Sequence, residues 1–369
     1  MQNPKATIKK YCIRGAILLL TVVSILFADR LLCDHTAHGI RQARCIYDQP
    51  EDSIDVAMIG SSHIHCDVNT ALLWEKYGIT AYDYSAAEQP LWITYYYLQE
   101  LCKHQKPKVV VLDLYGPARF KDDYQYEWLR DNLYGMRFSL TKAKMMTTCI
   151  EPVYLDRYFP DFFDYHDRYR DLTAEDWAEA LETKDARAAF KGYTPYFKEA
   201  QQVEPALEPT LSGGITVKSE IYLQKIIDYT KENGMELFLI VTPYITTEQD
   251  EQVYNRVKEI AAAQGVDFNS TNYSYDEMGL DFDSDFNDAS HLNYWGSCKF
   301  TDYLAGELLD RYALEDHRGD PYYASWDRHA AEIRRQVEDY LNSLNPEDRR
   351  ERLSRITQLK KPLVSTLAK

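Results

Sequence analysis

Gly60-Ser61-Ser62-His63 and Asp288-Ala289-Ser290-His291 are two strings whose residue types could perform nucleophilic chemistry together. A serine hydroxyl is a poor nucleophile until a base takes its proton. An imidazole in turn needs a carboxylate to fix its tautomer and stabilise its charged form. An Asp and a His three positions apart can hydrogen-bond directly within one turn, leaving the far ring nitrogen to face a serine. Glycine lets the backbone turn sharply, and Ser62 would open the next helix, where free backbone N–H groups can serve an oxyanion. Each string alone has a plainer explanation: serines after strands commonly cap helices, and a surface His often has an acidic neighbour. The pairing separates the two accounts, because the serine follows the first expected strand and the Asp-His pair precedes the last helix of the alternating pattern.

Short apolar runs alternate with helical patterns, which predicts βαβ units around a mostly parallel sheet, an α/β fold. Strands are expected at Asp55 to Ile59, Thr80 to Tyr84, Lys108 to Leu114, Glu236 to Thr242 and Val266 to Asn269. Helices are expected at Leu72 to Tyr77, Trp92 to His104, Ser219 to Asn233, Gln252 to Gln264 and Trp295 to Tyr312. Catalytic groups of such sheets collect at the C-terminal ends of strands, where Ser62 falls. The stretch from Pro117 to Gly214 is far longer than an ordinary connection and reads as a largely helical insert, rich in Tyr, Phe, Asp and Arg. Three segments follow: 1–33, a stub and anchor; 34–315, the catalytic domain with its insert at about 117–214; and 316–369, a charged helical extension. Arg349, Arg350, Arg352, Arg355, Lys360 and Lys361 mark its end, and a solvated tail accounts for them more simply than contact with an anionic surface.

The two strings resemble the first and last sequence blocks of the SGNH (GDSL-like) hydrolases, Gly-Asp-Ser and Asp-x-x-His. The resemblance covers residues 53–116 and 219–313. It implies a flavodoxin-like three-layer sandwich with a five-stranded sheet, with Ser62, Asp288 and His291 as catalytic residues. GSSH and the longer string DxxHLNxxG, Asp288 to Gly296, are similar to the membrane-tethered branch that includes D-alanyl transfer and polysaccharide O-acetylation proteins. That implies an extracytoplasmic serine esterase or O-acyltransferase acting on acyl esters of bacterial cell-envelope polysaccharide or teichoic-acid-like polymers. A membrane-bound acyltransferase is the implied partner, and no cofactor is implied. The sequence departs from the family at two places. Ser85-Ala86-Ala87-Glu88-Gln89 lacks the second-block glycine, so the oxyanion is expected at the backbone N–H groups of Ser62 and Ala87, with Ala86 as the alternative. Lys108 to Leu114 runs into Tyr115-Gly116 and supplies no third-block Asn.

The first residues add a membrane signal: Lys5, Lys9, Lys10 and Arg14 precede an uncharged apolar run from Gly15 to Ala28. With Tyr11 to Ile13 and Leu31 to Cys33 the run is long enough to span. Leu26 spoils a cleavage site before Ala28, and Leu32 spoils a lipobox at Cys33, so an uncleaved anchor is favoured over a cleaved signal peptide. The basic flank places the N-terminus in the cytoplasm and the rest outside, at the cell membrane. A net charge of -16 repels phosphate backbones and argues against nucleic acid as a partner. Seven scattered cysteines form no CxxC pair and no disulfide framework.

Three rival readings remain open. His63-Ile64-His65-Cys66-Asp67 fits the HxHxD opening of a zinc hydrolase, though Val68 stands where a further His is needed. Asp281, Asp283 and Asp285 alternate like a calcium loop, but Phe286 and Leu292 occupy positions that require Gly and Glu. A fold can also outlive its chemistry, which leaves a non-catalytic glycopolymer-binding or accessory protein of an envelope-modification complex, with some of the 30 tyrosines stacking on sugars.

Overall fold

The computed structural model describes residues 4–33, 38–119, 127–159, 162–208 and 210–359. The chain forms two units, residues 1–35 with 152–183, and residues 36–151 with 184–369.

In the first unit, α1 (Pro4–Leu32) is one continuous helix. Proline stands only at its first turn, where the missing N–H costs nothing, and Gly15 is its single glycine. Its stretch Lys10–Leu32 is long and apolar enough to cross a membrane, with a mean hydropathy of 2.1. The rest of this unit comes from the insert and includes the helix Ala174–Ala180, opened by a reciprocal Thr173–Asp176 capping box.

The second unit is built on five parallel strands, β1 (Val56–Gly60), β2 (Ala81–Ser85), β3 (Val109–Asp113), β4 (Glu236–Val241) and β5 (Asp267–Ser270), in the order β2-β1-β3-β4-β5. Each lies within a residue or two of the run that predicted it. The first three are buried along their whole length, as expected of strands covered on both faces. The helices that follow are α2 (Ser62–Asp67), α3 (Thr70–Tyr77), α4 (Leu91–Leu101), α5 (Val217–Glu232), α6 (Glu248–Gln264), α7 (Tyr294–Arg311), α8 (Ala324–Ser343) and α9 (Pro346–Gln358). One face of the sheet carries α4 and α5, while α3 packs with α7 and α8 on the other. There Val56, Met58, Val111 and Ile240 meet Ile64, Phe300, Leu304 and Leu308 in one core. Strand alternation turns Ala57, Ile59, Val110 and Leu112 to the opposite side.

One expectation is refined and another corrected. The helices of the insert end at Ala189, and among the described residues from 190 to 216 there is no helix or strand. This strap is bonded edge-on to the sheet unit. Asp83 N–H donates to the Lys191 carbonyl at 3.0 Å, and Thr194 N–H donates to the His65 carbonyl at 2.7 Å. Gly192, at φ 93°, makes the approach possible, because a Cβ there would stand 2.2 Å from the Asp83 carbonyl oxygen. In the C-terminal extension, expected to be solvated, α8 is instead packed, while α9 is largely exposed up to Ile356. In α8, Trp326, Ala330, Ile333, Val337 and Leu341 form a buried stripe at helical spacing that the segment's charge density hides from a composition-based reading. Lys360 and Lys361 lie outside the described residues. None of the seven cysteines is in a disulfide.

Candidate active site

Gly60 ends β1 at φ 137°, a conformation that side chains rarely adopt, and a Cβ there would come within 2.7 Å of the Asp113 Cβ. The chain then turns into α2. Ser61 caps this helix, its Oγ accepting from His63 N–H at 3.3 Å while donating to Asp113 Oδ2 at 2.5 Å. Asp113 Oδ2 also accepts from Ser61 N–H, and Oδ1 accepts from Tyr115 N–H. Burial pushes this carboxyl up to about 6, against the downward pull of those donors. Ser61 is thereby committed to structure. Ser62, the next residue, keeps 7% of its surface exposed.

Ser62 Oγ lies 2.8 Å from His291 Nε2, and His291 Nδ1 lies 3.1 and 3.2 Å from the two oxygens of Asp288. A carboxylate facing Nδ1 holds the proton there, which leaves Nε2 as the acceptor for the serine hydroxyl. Asp288 is itself held by Ser290 N–H at 2.8 Å, His291 N–H at 3.0 Å and the Asn287 amide at 2.8 Å. Partial burial raises its pKa, but the hydrogen bonds from His291, Ser290 and Asn287 outweigh that and hold the carboxyl well below the usual carboxylate range.

The loop carrying Asp288 and His291 is fixed by the other members of the DxxHLNxxG string. Leu292 is fully buried and pairs with Phe286 in an antiparallel bridge, while its N–H donates to Asp67 Oδ1 at 2.9 Å. Asn293 caps α7 through Trp295 and Gly296 N–H. At Gly296 a Cβ would stand 2.2 Å from the Asp285 carbonyl oxygen, so only glycine lets α7 start so close to the loop. Ile245 N–H, just beyond β4, donates to the Ala289 carbonyl at 2.9 Å, and Tyr294 N–H donates to the Tyr196 carbonyl of the strap at 2.6 Å.

Aromatic side chains crowd the serine. The His63 ring stacks on Tyr115 at 4.0 Å between centroids and lies 5.3 Å from His291, and Tyr196 meets His291 edge-on at 6.0 Å. The Arg119 guanidinium sits over the Tyr115 and Tyr244 rings at 5.4 and 5.7 Å. The sequence reading missed Asp113, Tyr115 and Tyr196. The usable signal was an Asp closing the otherwise apolar strand KVVVLD, because a buried carboxylate needs donors.

Of the two expected oxyanion donors, Ser62 N–H makes no hydrogen bond to any described residue, whereas Ala87 N–H is already donated to the His38 carbonyl at 2.7 Å. Ala86 N–H is likewise taken by the Gly60 carbonyl at 3.2 Å. The chain at 38–39 fills the space in front of Ala86: a Cβ at Gly39 would lie 2.4 Å from the Ala86 Cβ. The two HxHxD histidines are each engaged by a separate hydroxyl. His63 Nδ1 pairs with Thr242 Oγ1 at 2.7 Å, and His65 Nδ1 pairs with Ser85 Oγ at 2.9 Å. Among the described residues no three His, Cys, Asp or Glu side chains gather to hold a metal ion. In the acidic loop, Asp285 is buried against Lys299 and Arg355, so side-chain cations stand where the calcium reading would put a metal.

No family model matches the chain, and no curated protein matches it.

Proposed function

We propose that this chain is a membrane-anchored serine esterase or O-acyltransferase of the SGNH type, acting outside the cytoplasm on acyl esters of cell-envelope glycopolymers. The observation that carries the reading is the unbroken contact from Ser62 Oγ to His291 Nε2 and from His291 Nδ1 to Asp288. His291 takes the Ser62 proton as Oγ attacks the acyl carbonyl, and the Ser62 N–H donates to the oxyanion. The tetrahedral species then collapses: the C–O bond to the leaving alkoxide breaks, His291 returns the proton to it, and the acyl group stays on Ser62. In the second half His291 deprotonates water or a polymer hydroxyl, which attacks the acyl-serine and restores the free enzyme. With the backbone amides of Ala86 and Ala87 already engaged, a weak hydrolase and a transferase with a narrow acceptor fit better than a broad esterase. For the transfer reaction, a membrane-bound acyltransferase is the proposed partner. The anchor would be α1, its basic N-terminal flank in the cytoplasm and the sheet unit outside.

Labelling with a serine-directed fluorophosphonate tests the reading. The wild type should be modified at Ser62 and Ser62→Ala should not. An unlabelled wild type overturns the catalytic reading in favour of a binding or accessory protein.

A further inference from the structure

Asp29 and Arg30 introduce charge at the end of α1, where a helix leaving a membrane passes through the headgroup region. Both are satisfied by the insert. Arg30 Nη2 donates to the carbonyls of Glu179 and Glu182 at 3.0 and 2.8 Å, at and just beyond the C-terminal end of the helix Ala174–Ala180. The Tyr165 hydroxyl donates to Asp29, and Arg168 donates to the Leu32 carbonyl at 2.8 Å and to Asp176 at 2.8 Å. The insert segment 152–183 is therefore a collar bonded to the last turns of α1.

The collar buries Tyr158, Tyr165 and Ala180 but leaves other apolar side chains exposed. Trp177 is 46% exposed and Leu181 66%, four residues apart and so on one face of the helix and its cap. Val153 and Tyr169 on the same unit are 72% and 59% exposed. The Trp177 ring lies 6.2 Å from Phe27. Phe27 is five residues inside the end of the membrane-length stretch, about 8 Å below it at 1.5 Å per residue. Segments that lie in the interface bury apolar side chains about 5–10 Å into the boundary between headgroups and acyl chains.

From this we infer that the collar is a lipid-embedded foot: Trp177 and Leu181 insert beside α1 into the leaflet where α1 emerges. The inference rests on α1 spanning a membrane. The attraction is hydrophobic and interfacial, not coulombic, because residues 152–183 hold nine acidic side chains against three basic ones. Salt should not release the foot.

The test uses the full chain in nanodiscs and the fluorescence difference between wild type and Trp177→Phe, which isolates Trp177 from the other tryptophans. Trp177 emission should be blue-shifted, quenched by lipids brominated just below the headgroup, and shielded from aqueous iodide. Leu181→Asp should reduce the lipid quenching while α1 stays in the membrane. Emission quenched by iodide and indifferent to brominated lipid overturns the inference, and would mean that the face meets water or a protein. A parallel carbonate wash separates the two levels of the argument. Release of the chain from membranes sinks the spanning reading of α1, whereas retention with a water-exposed Trp177 sinks only the foot.

Discussion

Ser61 donates its hydroxyl hydrogen in a 2.5 Å hydrogen bond to the buried Asp113 carboxyl. The two adjacent serines thus have separate work, one locking the turn after β1 and the other facing His291. Ser61→Ala should lose about 1–3 kcal/mol of stability, the cost of a buried acceptor deprived of its donor, and still react with a fluorophosphonate. Ser62→Ala should show the reverse, with stability little changed and labelling gone. Urea unfolding and labelling of both variants check the division, and labelling that depends on Ser61 would refute it.

Asp113 carries a pH signature. Its carboxyl titrates near 6 in the folded protein against an ordinary value of 3.8. Between those values the folded chain binds more protons than the unfolded one. Stability contributed by the protonated form is therefore full below about pH 4 and lost as pH rises through 6, by at most roughly 3 kcal/mol. Asp113→Asn cannot titrate, and its amide nitrogen would confront a backbone donor at Ser61 or Tyr115. The unfolding free energy of wild type relative to this variant should drop between pH 4 and 7. A difference that is flat with pH contradicts the assignment.

Asp288 has the opposite sign. Its folded carboxyl titrates below the usual range, so its stabilising contribution is present above that range and lost as pH falls through the folded value. Partial exposure makes that contribution small. Its effect on reactivity should be large: Asp288→Asn keeps the shape but removes the charge that holds the imidazole tautomer. The rate of Ser62 labelling should then fall by about 10³–10⁴-fold, at nearly unchanged stability. An unchanged rate would show that His291 acts without its carboxylate.

Two glycines of α7 should respond in opposite directions. Gly296→Ala places a methyl group 2.2 Å from the Asp285 carbonyl oxygen, which forces α7 away from the His291 loop. The expected cost is about 1–3 kcal/mol together with slower labelling. Gly306→Ala, one face further along the same helix, meets nothing within 4 Å. It should stabilise by up to about 1 kcal/mol, as removing a glycine from a helix interior does. Thermal melts of the two variants decide it.

The strands and most of the helices were legible because they are self-contained patterns, such as KVVVLD bounded by Pro107 and Gly116. Ser62, Asp288 and His291 could be singled out because each string sits at a strand end or a helix start, positions that local sequence marks. What escaped depends on contacts across long separations. That Ala87 N–H is spent depends on where His38 lies. The strap at 190–216 is held by a donor on β2, Asp83 N–H, and an acceptor on α2, the His65 carbonyl, and its own sequence carries no period. The stripe in α8 was present in the sequence, but charged residues between its members lowered the apparent hydrophobicity of the whole segment.

The C-terminal helix gives a last prediction, because its arginines reach the loop that holds the proposed base. Arg355 donates to Asp285 Oδ1 at 2.7 Å and to the Ser284 carbonyl at 3.1 Å, pairs with Glu199 of the strap, and lies 4.9 Å over the Trp295 ring. Asp285 is fully buried, with Lys299 on its other oxygen at 2.6 Å. Arg355→Met removes one of two cations from a buried carboxylate, a loss of roughly 2–4 kcal/mol by analogy with broken buried pairs. It also loosens the segment leading to Asp288 and His291. Arg350→Met on the exposed side of α9 removes a charge of the same sign and should stay within about 0.5 kcal/mol of wild type. If Arg355→Met lowers both the urea midpoint and the Ser62 labelling rate while Arg350→Met lowers neither, α9 acts as a brace for the site. Equal behaviour of the two variants would reduce it to an appendage.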